Sequence, residues 1–208
     1  MKGLLILGLL LMTVPAFAHH PGERLDDVMA GKEPAFEPTD LRSMPDLALN
    51  NEQGARLTLR DLREIIVVLS FVPRDCGAPC TEQQDILASV QKQVNITPMK
   101  QMVRFLTIHD RSVSIGARWG PANWQSAAPR DETVAESARR FTALSDRNPS
   151  SPLVHIIDRG SRHAGLFHGT GFRQINLVLY INGLTNVRPI AESSEPDTWW
   201  DTVKELFK

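Results

Sequence analysis

The stretch IIVVLSFVPRDCGAPCTEQQDILASV, residues 65–90, changes character twice. Residues 65–72 are almost wholly apolar and rich in β-branched side chains, the composition of a strand covered on both faces. After Cys80, Thr81 and Gln84 have the form of a capping box, and Ile86, Leu87, Val90 and Val94 fall on one face of a helix. Between strand and helix lie Cys76 and Cys80, the only two cysteines of the chain. In open α/β sheets, the crevice beyond the carboxyl end of a buried strand is where ligands and chemistry gather. The pair can serve as a structural disulfide, a redox couple or part of a metal site.

Working outward, residues 47–49 and 56–59 predict two short strands around a turn. Residues 103–108 and 175–181 read as further strands. Asn182-Gly183 is a hairpin-turn signal, with a weaker strand over 187–191. Helices are expected over 132–140 and 197–207, and Ser151-Pro152 followed by Leu153, Ile156 and Ile157 reads as a short capped helix. That order predicts an α/β, thioredoxin-like fold: a central mixed sheet flanked by helices, with an added N-terminal hairpin and an insertion near 110–130. Residues 111–130 hold Gly116, Gly120, Pro121 and Pro129 and read as a long loop.

The N-terminus reads as an export signal. Lys2 supplies the positive start, residues 4–12 are almost wholly apolar, and Ala16-Phe17-Ala18 is a small-x-small cleavage site. The apolar run is shorter than the roughly 20 residues of a membrane span. The expected organisation is a signal peptide at 1–18, an irregular leader at 19–44 and one domain at 45–208, in the periplasm. There, thiols meet oxidants. Acidic and basic residues nearly balance, 24 against 23, which speaks against an electrostatic nucleic-acid binder.

Three features together resemble the Sco/SenC family of copper chaperones for cytochrome oxidase assembly. They are the approach Leu57-Thr58-Leu59-Arg60-Asp61-Leu62 to the apolar strand, the Cys-x-x-x-Cys loop of Cys76 and Cys80, and His168-Gly169-Thr170-Gly171-Phe172 late in the domain. The resemblance runs from about residue 47 to the C-terminus. It implies copper held by Cys76, Cys80 and His168, and a copper-receiving partner such as a cytochrome oxidase subunit. It also implies that His168 stands before a core strand, in the segment facing the cysteine loop. The sequence departs from the family pattern too. Gly77 follows the first cysteine where proline is usual, Pro79 precedes the second, and His109-Asp110 with the long insertion replaces an acidic residue and a proline.

Two thiolates and an imidazole suit copper, and thiolates favour Cu(I). A disulfide across so short a loop closes little chain, which weakens a purely structural role. The rival chemistry is thiol–disulfide exchange without metal. Typical exchange enzymes of this fold carry Cys-x-x-Cys and a cis-proline just before the strand facing the cysteines, and no proline occurs between Ser161 and Ile181. Among the other histidines, His163 is the main substitute ligand and His155 reads as a packed side chain. His109 reads as a loop residue, and His19-His20 is a weak second Cu(II) site. Asp75 reads as solvated. Trp119, Trp124, Trp199 and Trp200 read as packing residues.

Overall fold

The computed structural model describes residues 24–110, 123–149 and 151–186. The expectations for the signal peptide, His19-His20, Trp119, the strand at 187–191 and the helix at 197–207 lie outside the described residues. In chain order the elements are α1 (Leu25–Lys32), β1 (Phe36–Arg42), β2 (Ala48–Asn51), β3 (Arg56–Thr58), β4 (Ile66–Val72), α2 (Ala78–Asn95), β5 (Val103–His109), β6 (Trp124–Pro129), α3 (Val134–Thr142), β7 (Leu153–Ile157), β8 (His163–His168) and α4 (Gln174–Asn186).

The strands form one mixed sheet in the order β1-β8-β7-β4-β5-β6-β2-β3. β4 runs parallel to β5, and β5 to β6, while β7 pairs antiparallel with both β4 and β8. All seven residues of β4 are buried, as its apolar run requires. Alternate residues serve two cores. Ile66 and Val68 face Leu87, Val90, Leu177 and Tyr180 of α2 and α4. Val67, Leu69 and Phe71 face Val134 and Phe141 of α3.

The hairpin β2–β3, the strands β4 and β5 and the helix α3 match the sequence reading. α2 begins earlier than the Thr81–Gln84 signal suggested. Pro79 stands in its first turn, where its fixed φ is already helical and its missing N–H costs nothing.

Four expectations are corrected. Residues 153–157 form the strand β7, not a capped helix: Val154, Ile156 and Ile157 are β-branched, the run is short, and its side chains divide between the two cores. A proline suits the start of a strand as well as the start of a helix. Residues 175–181 belong to the helix α4, whose buried Leu177, Tyr180, Ile181 and Leu184 follow a helical period. Gly183 lies inside that helix rather than in a hairpin, and Leu25 of α1 packs so closely that an added Cβ would stand 2.5 Å from its Cδ1. Finally, the leader is not irregular within residues 24–44. α1 covers α4, and β1 is an edge strand of the sheet, so the folded unit begins before residue 45. The insertion likewise contributes β6, which joins the sheet beside β5.

Candidate functional site

β4 delivers the chain to Pro73 at the end of the sheet. A turn follows, with the Cys76 N–H donating to the Pro73 carbonyl at 3.2 Å. Gly77 then adopts φ +66°, a left-handed conformation that proline, locked near −65°, cannot take. The missing proline after the first cysteine therefore has a backbone cause. Cys76 is half-buried just ahead of α2, and Cys80, in the first turn, is 1% exposed. The two are joined as a disulfide with their Cα atoms 5.8 Å apart. Cys80 Sγ lies 3.6 Å from the Phe71 carbonyl oxygen, an acceptor for the thiol that reduction would create.

Beside the disulfide is a cavity of about 150 Å³, bounded by Phe71, Cys76 and Cys80, by Thr142 of α3, and by Pro152 and His155. The segment facing the cysteines is thus Ser151-Pro152, ahead of β7. The sequence argument against exchange chemistry sought a proline near β8 and found none. Pro152 occupies the facing position, its peptide bond trans.

His168 ends β8 and is followed by the helix α4 rather than by a strand. It stands opposite Leu153 in the β7–β8 pairing, so it lies at the cysteine end of the sheet. Its ring is turned the other way. Nε2 is 2.6 Å from Glu37 Oε2 on β1, and His168 is not among the residues lining the cavity. Glu37 also accepts from Ser145 Oγ at 2.7 Å and from the Asp146 N–H at 2.6 Å. Burial alone would raise the Glu37 carboxyl, but these hydrogen bonds overcome it and hold the group below the usual carboxylate range. The next residue, Gly169, donates its N–H to the Pro152 carbonyl at 2.8 Å and accepts from Gln83 Nε2 of α2 at 3.2 Å. The turn after His168 is therefore tied to the cysteine-facing segment, while the ring is tied to β1. Among the described residues, no three His, Cys, Asp or Glu side chains form a metal-holding group.

His163, the expected substitute ligand, is fully buried. Its Nδ1 is 2.8 Å from Thr39 Oγ1 and its Nε2 is 3.0 Å from His155 Nδ1. Burial, helped by Arg42 and opposed by Glu37, lowers its pKa to about 4. His155 is packed, as expected, but from a strand, edge-on to Phe71 and Phe141. His109 ends β5 with Nδ1 2.8 Å from the Asp110 carbonyl oxygen, and Asp75 is exposed. Trp124 packs against the core and donates to Thr107 Oγ1 at 3.3 Å. Pro152 and His155 are the site residues whose position the sequence did not reveal. Their nearness to the cysteines is made by the antiparallel pairing of β4 with β7.

No protein-family model and no curated protein matches the chain by sequence. Solved structures do match it by fold. Yeast Sco1 with copper bound is 14% identical, with a TM-score of 0.58 over 75% of this chain and 98% of its own. BsSco, a member of the Sco family of cytochrome c oxidase assembly proteins in which a disulfide switch was identified, is 11% identical, with a TM-score of 0.58 over 73% and 98%. A SCO1/SenC family lipoprotein from Bacillus anthracis is 14% identical, with a TM-score of 0.55 over 72% and 98%. The likeness is one of fold: the chain has a thioredoxin-like fold in the form that these Sco structures share.

Proposed function

We propose that Cys76 and Cys80 are the working centre of an exported, Sco-like protein that cycles between disulfide and dithiol. The observation that carries this reading is their placement. They sit at the end of a fully buried central strand, with one cysteine half-buried, one buried, and a cavity facing them. A pair held only for stability has no need of that position. In the reduced form the two thiolates take up Cu(I) as cargo, for delivery to the copper site of a respiratory oxidase in the periplasm, or they keep that site's thiols reduced. His168 is the proposed third donor. To serve, its ring must leave Glu37 and turn toward the cysteine loop, which faces the segment to which Gly169 is already tied.

Competition titration of the reduced protein against a Cu(I) chelator tests the cargo. One Cu(I) per chain is expected, lost in a Cys76→Ser, Cys80→Ser double variant and weakened in His168→Ala more than in His163→Ala. Undiminished affinity in the double variant sinks the proposal.

A second reading, thiol–disulfide exchange without metal, draws support from Pro152 opposite the cysteines. Insulin reduction separates the two. The copper reading expects negligible turnover, together with an oxidase defect in a deletion strain that added copper partly restores. Robust insulin reduction with normal oxidase activity favours exchange alone.

A further inference from the structure

The wall of the cavity opposite the disulfide carries a buried polar chain, and its hydrogen bonds have only one consistent polarity. Thr39 Oγ1 lies 2.6 Å from the His163 carbonyl oxygen and 2.8 Å from His163 Nδ1. Two oxygens that close must share a proton, and the carbonyl has none to give, so the threonine hydroxyl donates to it. The same oxygen then accepts from His163 Nδ1–H. A neutral His163 protonated there has a bare Nε2, which is 3.0 Å from His155 Nδ1. His155 must be the donor in that contact. Its proton is on Nδ1, and its Nε2 is left as a lone-pair acceptor.

Nδ1 points toward β8, so Nε2 points away from it, on a ring that packs edge-on to Phe71 and Phe141 and lines the cavity shared with both cysteines. Among the described residues no hydrogen bond reaches His155 Nε2. The groups around the ring are His163 and His168 from β8, Phe71 from β4, Phe141 from α3 and the cysteine loop, with Arg42 and Glu37 of β1 beyond His163. Burial, then His163 and His168, hold His155 well below the usual histidine range, so it is neutral at pH 7.

The cysteines are unequal. Cys76 is half-buried ahead of the α2 N-terminus, where unpaired N–H groups favour a thiolate. Cys80 is buried, out of reach of bases in bulk solvent. The geometry points to His155 as the proton acceptor for the Cys80 thiol, acting across the cavity, with His163 and Thr39 as positioning residues that fix its tautomer. This inference rests on the proposed dithiol cycle. The cavity, at about 150 Å³, has room for bridging water, which takes about 30 Å³ per molecule.

The step balances as follows. The Cys76 thiolate attacks a partner's disulfide, forming a mixed disulfide and releasing one partner thiolate, which takes a proton from water. Cys80 gives its proton to His155 Nε2, and its thiolate attacks Cys76 Sγ. The Cys76–Cys80 bond forms, the mixed bond breaks, and the second partner thiolate takes the proton from His155. Two electrons pass from this protein's dithiol to the partner's disulfide.

The test uses the reduced full chain with oxidised glutathione as the disulfide. Closure of the Cys76–Cys80 bond is followed by rapid-quench alkylation from pH 5 to 9, in wild type, His155→Phe, Thr39→Val and Thr39→Ser. His155→Phe keeps a ring between Phe71 and Phe141 and is expected to slow closure at pH 7 at least tenfold, with a rate that climbs with pH as an unassisted thiol requires. Thr39→Val is expected to slow closure several-fold and Thr39→Ser to restore it. If His155→Phe does not fold, Thr39→Val decides. Rates and pH profiles unchanged from a reactive wild type overturn the role of His155 alone. A wild type that never closes with glutathione overturns the dithiol cycle itself, and this inference with it.

Discussion

At the scale of single residues, the buried histidines make a prediction about acid. His163 is held to about 4 by burial first and Arg42 second, with Glu37 opposing. An unfolded chain protonates that ring near 6.5. Between those values the unfolded state binds the proton and the native state does not, so stability falls as pH drops from 6.5 to about 4. The loss attributable to His163 is about 3 kcal/mol across that window. Urea midpoints measured from pH 7 to pH 4 should decline steadily for the wild type and less steeply for His163→Gln. Parallel declines would place the acid sensitivity elsewhere. Gly77 makes a second prediction at this scale. An alanine there must adopt φ +66° with ψ −141°, outside the left-handed helical well, costing about 1–3 kcal/mol, and should widen the distribution of cysteine loop conformations. A Gly77→Ala protein with an unchanged melting temperature would show that the loop relaxes at no cost.

At the scale of elements, α3 forms one wall of the cysteine cavity and is fixed at its start by a reciprocal cap. Thr133 Oγ1 accepts from the Glu136 N–H at 3.2 Å, and Glu136 Oε2 accepts from the Thr133 N–H at 2.8 Å. Thr133→Ala should cost about 1 kcal/mol, read by denaturant melting, and Thr133→Ser should recover most of it. Equal stability in both variants would mean that packing of Val134 and Phe141 alone sets the helix. Elements differ in how plainly they can be read from sequence. β4 was legible because both of its faces are buried, which leaves an unbroken apolar run. α3 was legible because cap and periodic face agree. β7 and α4 exchanged identities because the local signals were equivocal: Pro152 begins a strand as readily as a helix, and Asn182-Gly183 turns a hairpin unless Leu25 packs against a helix there. That exchange moved His168 from the end of β8 to an imagined position before a strand, and it hid Pro152. The cysteines were legible as a centre because they lie four residues apart at the junction of β4 and α2. His155 was not, because only sheet pairing brings β7 beside β4.

At the scale of the whole molecule, the sheet and its two cores hold the fold, and the disulfide adds little. Its partners are separated by only four positions, so the chain entropy it removes is worth about 2 kcal/mol at most. Reduction should leave the far-ultraviolet spectrum unchanged and lower the melting temperature modestly. Unfolding on reduction would make the pair structural after all. No helix among the described residues is long and apolar enough to cross a membrane. The sheet closes its own ends: β3 is three residues long, and β1 carries Pro38 and shifts register before Arg42. The pairing of β1 has a further consequence, for timing. Phe36 lies opposite Phe167, so the first of the described strands to leave the ribosome finds its place only beside the last of them. Such distant contacts are slow to form. For the exported protein proposed above, that wait would be an interval in which the polypeptide remains a thread, able to pass a translocation channel before the sheet can lock.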